Sequence, residues 1–324
     1  MNQRVRPYDS VTVFGGATLD RVARSDAPPV MGASNPGTVR HLAGGVGLNV
    51  ATVLARLSFP TRMVTAVGDD AAGEAIVAAA KGAGVDASAM STMKGKATAG
   101  YHATLDDRGN LIVGIADMKI CEAITPAAIA AAITATGERD FWVVDANLPE
   151  ATLAFLVAEA IAARRPVAAL SVSPAKAVRL TPLLDDLSFL FANRKEAATL
   201  AGHDPDGTSL TAAALAGELA GHRSTRVVVT NGTEPLAVAG GGEARSFMPL
   251  RTEVKGVNGA GDSLAAGTIL GLVEGLSLHE AIRFGLAAAA LMLEAGSITA
   301  AHFSQDALAE RIGTGPNGRA RIAS

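Results

Sequence analysis

The chain has 324 residues, 49% of them hydrophobic and 18% charged, with a formal net charge of −3. This is a globular profile with room for one large α/β domain or two, and without the dense Lys/Arg blocks of a nucleic-acid platform. The single cysteine, Cys121, excludes an internal disulfide and a multi-cysteine zinc site, and is expected in the core or at its boundary.

Met1 to Ser10 is polar and has no apolar signal core, while Phe284 to Leu293 is too short and Ala-rich to span a bilayer. A cytoplasmic location is expected, with neither nucleic acid nor membrane as partner. Val11 to Phe14 then reads as a buried strand closed by Gly15-Gly16. Val22 to Leu42 is rich in Pro, Gly, Ser and Asn and carries the turn Ser34-Asn35-Pro36-Gly37. Apolar residues at helical spacing predict a helix over Asn49 to Leu57. A strand over Thr61 to Val67 and a helix over Ala72 to Lys81 follow, the latter ended by Gly82. Thr98 to Ile115 alternates like a strand, with a hairpin signal at Asp106 to Asn110.

Further strands are predicted at Phe141 to Val144, Val167 to Leu170, Leu187 to Phe191 and Val227 to Thr230. Helical patterns at about Glu150 to Ala163, Arg194 to Leu200 and Leu210 to Ala220 separate them. This alternation predicts a mostly parallel sheet flanked by helices on both faces, with functional residues at the carboxyl ends of its strands. The excursions at about 21–42 and 98–117 are expected to form a small β lid on a single α/β domain spanning 1–324. Two plain surface hairpins are the ordinary alternative. Lids matter to group-transfer enzymes because water competes for the donor.

The run Asn258-Gly259-Ala260-Gly261-Asp262 opens the apolar stretch Ser263 to Val273. Small residues at a helix start leave backbone N–H groups free for an anion, and the helix dipole favours one there. A carboxylate beside such a hole can take a proton from a hydroxyl while the amides hold the group being attacked. A Gly-rich turn with Asp262 serving the dipole remains the alternative on these residues alone.

Gly44-Gly45-Val46-Gly47-Leu48-Asn49 allows close backbone approach to a ligand, with Asn49 available for hydroxyls or as a helix cap. Arg40-His41-Leu42-Ala43 makes a poor buried first strand for a dinucleotide site, and the distant acid is missing. Asp20 suits a vicinal diol. Asn193 and Glu196 fit a capping box, or alternatively organise water around magnesium on nucleotide phosphates. Thr230-Asn231-Gly232 ends a strand where phosphates can be touched, and Lys176 can neutralise a transferring phosphate. No P-loop sequence is present.

Together these residues resemble the ribokinase-like (PfkB) carbohydrate kinases. The resemblance covers Val11 to about Ala300 and includes Gly44-Gly45 with Asn49, Asn193 to Glu196, and Gly259 to Asp262. It implies a ribokinase-like fold with ATP and Mg2+ as cofactors. Asp262 would be the catalytic base, and Gly259, Ala260 and Gly261 the anion hole. Thr18, Asp20, Gly44, Gly45, Asn49 and Lys176 would lie on the acceptor, a nucleoside or sugar. Asn193, Thr230, Asn231, Gly232 and Asn258 would lie on the nucleotide, and Glu196 on magnesium through water.

Within the family the chain is similar to the pseudouridine kinase branch, through Ser34 to Gly37, Asp117-Met118, Asp145 to Leu148, and Val172-Ser173 with Lys176. That likeness implies phosphorylation of the 5′-hydroxyl of pseudouridine; another nucleoside, a free sugar, or a non-catalytic nucleoside-binding role are the alternatives. Thr18, Leu48 and Ala116 depart from residues common in that branch and are expected near the acceptor. Gly256-Val257 replace a common Asp-Thr pair, which puts a monovalent-cation site in doubt. Family dimers commonly share lid strands, so a homodimer through the lid is expected.

Overall fold

A computed structural model describes residues 6–221, 224–298 and 303–313. In chain order its strands are β1 (Ser10–Phe14), β2 (Thr18–Ser25), β3 (Gly37–Gly44), β4 (Thr61–Gly68), β5 (Met90–Met93), β6 (Gly100–Leu105) and β7 (Leu111–Asp117). These are followed by β8 (Asp140–Asp145), β9 (Val167–Leu170), β10 (Phe189–Asn193), β11 (Arg226–Asn231), β12 (Glu234–Gly240) and β13 (Glu243–Phe247). The helices are α1 (Val46–Arg56), α2 (Ala71–Gly82), α3 (Pro126–Thr134), α4 (Glu150–Ala162), α5 (Pro174–Ala177), α6 (Arg194–Leu200), α7 (Ala212–Ala220), α8 (Ala260–Val273), α9 (Leu278–Ala295) and α10 (Gln305–Gly313).

Nine strands form one sheet in the order β13-β12-β11-β10-β9-β8-β1-β4-β5. From β11 to β5 every neighbouring pair is parallel. The antiparallel β12 and β13 extend one edge, where apolar periodicity predicts no strands. Strand residues alternate between two cores: Val11, Val13 and Met63 pack under α1, α8 and α9, while Phe14, Val64 and Trp142 pack under α4, α6 and α7. Burial of both faces is why these strands read as continuous apolar runs. Cys121 lies in the second core, and burial pushes its thiol up to about 12, so it is an inert packing residue.

The second sheet has four strands in the order β3-β2-β6-β7. β2 and β6 pair in parallel, and β3 and β7 close the edges antiparallel. Register puts Leu42, Asp20, Tyr101 and Ala116 in one row across this lid. β1, β8, β9, β10 and β11 all end on the side of the large sheet where α8 begins, and the site assembles there.

Candidate active site

Gly259 occupies the N-cap of α8 at φ 88°, a conformation that favours glycine. A Cβ there would also stand 2.6 Å from Ile298 Cδ1. No side chain caps this helix, and the Ala260 amide donates to the Val257 carbonyl at 3.3 Å. Asp262 follows in the first turn and is only partly exposed. Its Oδ2 accepts a 2.7 Å hydrogen bond from Asn49 Nδ2. Burial raises the Asp262 carboxyl to about 7; Asn49 opposes that rise, and Asp145, Glu196 and Asp20 add to it. A carboxylate at that value can accept a proton near neutral pH.

Asn49 itself reaches this position from the first turn of α1, where the cap is Gly45 at φ 94°. A Cβ on Gly45 would stand 2.8 Å from the Gly16 carbonyl, so the two glycine loops touch. Next to them, buried Asp145 at the end of β8 accepts from the amides of Gly16, Gly47 and Asn147. Lys176 donates to Asn147 Oδ1 at 2.5 Å, and Arg179 donates to the carbonyls of Ala146, Asn147 and Leu148. Lys176 is therefore held by the loop after β8. Sequence reading missed Asp145, Asn147 and Arg179 as site residues. Asp145 to Leu148 carries part of the family resemblance, but nothing local in it assigns a role to the strand-end carboxylate.

Between the lid and α8 lies a cavity of about 500 Å3, lined by Asp20, Gly44, Asn49, Tyr101 and Asn258. Thr18 Oγ1 donates to Asp20 Oδ1 at 2.6 Å, and burial raises the Asp20 carboxyl. Asp20 also lies over Gly44, whose Cβ would come within 2.8 Å of Oδ2. Asn258 faces this lid-side space, because the loop 255–258 passes on the lid side of the Gly259 turn. Leu48 is 2% exposed and packs in the core beneath the sheet, so the departure there does not touch the acceptor space. Gly256 packs against the end of α9, where a Cβ would be 2.8 Å from the Gly296 carbonyl.

On the other side of Asp262 a polar cavity of about 200 Å3 is lined by Ser171, Asn193, Glu196, Thr230, Gly261 and Asp262. Thr230 and Gly261 also border an adjoining cavity of about 140 Å3, walled by Leu236, Leu250, Leu286 and Leu293, with Asn231 and Gly232 at its polar side. Val172, β-branched yet at φ 68°, lines the polar cavity; strain of this kind clusters at functional sites. Asn193 and Glu196 form the predicted capping box. Glu196 Oε2 accepts from the Asn193 amide and from Ser171 Oγ, and Oε1 accepts from Asn193 Nδ2.

The pfkB family carbohydrate kinase model matches residues 9–302. The chain belongs to the pfkB carbohydrate kinase family. Its relatives include the pseudouridine kinase of Escherichia coli strain K12, 31% identical over 290 residues, which are 89% of this chain and 92% of that one. A solved carbohydrate kinase from Agrobacterium tumefaciens superposes with a TM-score of 0.80 at 36% identity, covering 94% of this chain and 97% of that chain. The Arabidopsis thaliana ribokinase solved with ribose and ATP shares the fold, with a TM-score of 0.78 at 22% identity over 94% of this chain and 98% of that one. The protein is thus a pfkB-family sugar or nucleoside kinase, a phosphotransferase with an alcohol acceptor.

The cavities of this pfkB kinase fit a nucleotide: a leucine-walled slot adjoins a polar space at a helix N-terminus. Direct coordination of magnesium by the protein fits less well. Among the described residues no group of three or more His, Cys, Asp or Glu side chains is placed to hold a metal. Three hydrogen bonds already reach Glu196, leaving it suited to a water of a phosphate-bound ion.

Proposed function

We propose that this kinase transfers the γ-phosphoryl group of ATP to the 5′-hydroxyl of pseudouridine. The observation that carries the reading is Asp262, with its carboxyl raised to about 7, which lines the polar cavity and is bonded to Asn49, a residue of the lid-side cavity. The acceptor lies under the lid with its ribose diol on Asp20 and its 5′-hydroxyl toward Asp262. Asn49 orients the carboxylate that takes the hydroxyl proton. Amides at the start of α8 receive the charge on the transferring group. ATP places its base in the leucine-walled slot beside Asn231 and Gly232, and its phosphates near Asn193 and Thr230. Glu196 would hold Mg2+ through water, and the ion would supply neutralisation of the donor phosphate charge.

The choice of pseudouridine is supported by the likeness to the Escherichia coli enzyme and by a 500 Å3 cavity roomy enough for a base as well as a ribose. Another nucleoside or a free sugar is the second reading, favoured by Thr18 and Ala116, which differ from the residues common in that branch. The lid's exposed Val39, Val113 and Ile115 support a homodimer in which two lids cover one another. ATP-consuming chemistry fits a cytoplasmic site.

The test is MgATP-dependent phosphorylation of pseudouridine, uridine, other ribonucleosides, ribose and fructose, with product mass and position determined. Preference for pseudouridine, yielding the 5′-phosphate, is expected. Preference for another acceptor overturns the choice of substrate but keeps the transfer chemistry.

A further inference from the structure

The large sheet and the lid are joined by four chain crossings, at 15–17, 45, 94–99 and 118. The first leads from β1 through Gly15-Gly16 into β2, and so to Thr18 and Asp20. The second leads from β3 through Gly45 into α1, and so to Asn49, which holds Asp262. A single oxygen ties both crossings: Asp145 Oδ2 accepts from Gly16 N and Gly47 N, each at 2.9 Å. The Leu48 amide adds a 3.3 Å bond to the Gly16 carbonyl.

We infer that Asp145 is the hinge pin of the lid, a positioning residue that sets the distance between the acceptor-side carboxylate Asp20 and the Asn49–Asp262 pair. It does not meet ligand, since it is 0% exposed. Its surroundings are shaped to receive a carboxylate and nothing larger. A Cβ on Gly15 would stand 2.4 Å from Oδ2, and one on Gly47 would stand 3.1 Å from it. The other oxygen accepts the Asn147 amide at 2.8 Å, so the crossing after β1, the first turn of α1 and the loop after β8 meet at one carboxylate. The loop carrying Asp145 is fixed in turn by Arg179 on three successive carbonyls and by Lys176 on Asn147. The pin is therefore anchored to the large sheet, and the lid hangs from it through the two crossings.

Three amide donors need a charged acceptor with two oxygens. Asp145→Ala removes the oxygen that both crossings share and leaves the amides of Gly16 and Gly47 without that acceptor. The consequence is specific. Loosening these crossings moves Asp20 and the acceptor, but leaves Asn193, Thr230 and the leucine-walled slot, which hang from β10, β11 and α9.

The experiment is amide hydrogen exchange of the full chain resolved at Gly16 and Gly47, together with KM for acceptor and for ATP. Its kinetic arm rests on the phosphotransfer reading. In the native chain both amides exchange slowly; in Asp145→Ala both exchange about 100-fold faster or more, by loss of their shared buried acceptor. The acceptor KM rises by about tenfold or more while the ATP KM changes by less than about twofold. Gly15→Ala, which displaces the carboxylate without removing it, gives the same split and serves where Asp145→Ala does not fold.

Unchanged exchange at both amides overturns the proposal, as does a parallel rise of both KM values. If the native chain phosphorylates no acceptor in the panel, the substrate reading fails, and the exchange arm still decides the hinge pin by itself.

Discussion

The large sheet carries apolar side chains on both faces and buries both, whereas the lid turns Val39, Val113 and Ile115 toward solvent and exposes every residue of β7. On the large sheet, the groups at the strand ends are placed by a core packed from two sides. The lid has no core of its own; its position follows from the crossings that tie it to the sheet and from what covers it. The difference separates two tasks. On the proposed reading, chemistry near Asp262 is built on the element packed from both faces, and acceptor selection on the one that is not.

The comparison breaks most visibly through stability. Ile269, in α8, is fully buried, while Ile115 on the lid is 63% exposed. Replacing Ile269 with Ala should cost about 2–5 kcal/mol in denaturant unfolding, and Ile115 with Ala within about 0.5 kcal/mol. Equal costs would mean that the lid shares the core's cohesion.

A smaller effect in free energy, but a decisive one for function, is expected from Asp262→Asn. Its kcat should fall by roughly 100-fold or more with both KM values near those of the native chain. The same substitution should make the protein more stable at pH 8. The folded chain keeps the Asp262 proton up to about 7, whereas an unfolded carboxyl loses it near 4, so this group's ionisation lowers stability progressively as pH rises between those values. A melting temperature a few degrees above native at pH 8, with the gain fading below about pH 4, is the expected result by differential scanning calorimetry.

The smallest effect concerns the lid surface. Ile115→Asp should turn a dimer into a monomer by size-exclusion chromatography and raise the acceptor KM by about threefold or more, leaving the ATP KM unchanged. A native chain that is already monomeric removes the shared-lid proposal.

Much of this arrangement can be read from the chain because its signals are local. The strand Val167 to Leu170 and the helix Arg194 to Leu200 fall where apolar periodicity puts them, and the glycines before Asp262 mark the start of α8. Asp145 escaped because its partners lie 129 and 98 residues away, and no spacing rule links a strand-end carboxylate to backbone amides so distant. Leu48 misled for a different reason. It adjoins Asn49 in sequence, but neighbours on a helix point to different sides, and its side chain belongs to the core. β12 and β13 escaped as well, since β13 is exposed at most of its positions and carries no apolar alternation.

The central claim is that Asp262 is the base, poised near neutrality by burial. The pH dependence of kcat/KM for the preferred acceptor, measured on the native chain and on Asp262→Asn, tests it most directly. Native kcat/KM is expected to fall tenfold per pH unit below about 7, as the carboxylate takes up its proton, with this limb missing from the residual activity of the variant. An identical acid limb in both proteins, or a native profile flat through pH 7, would contradict it.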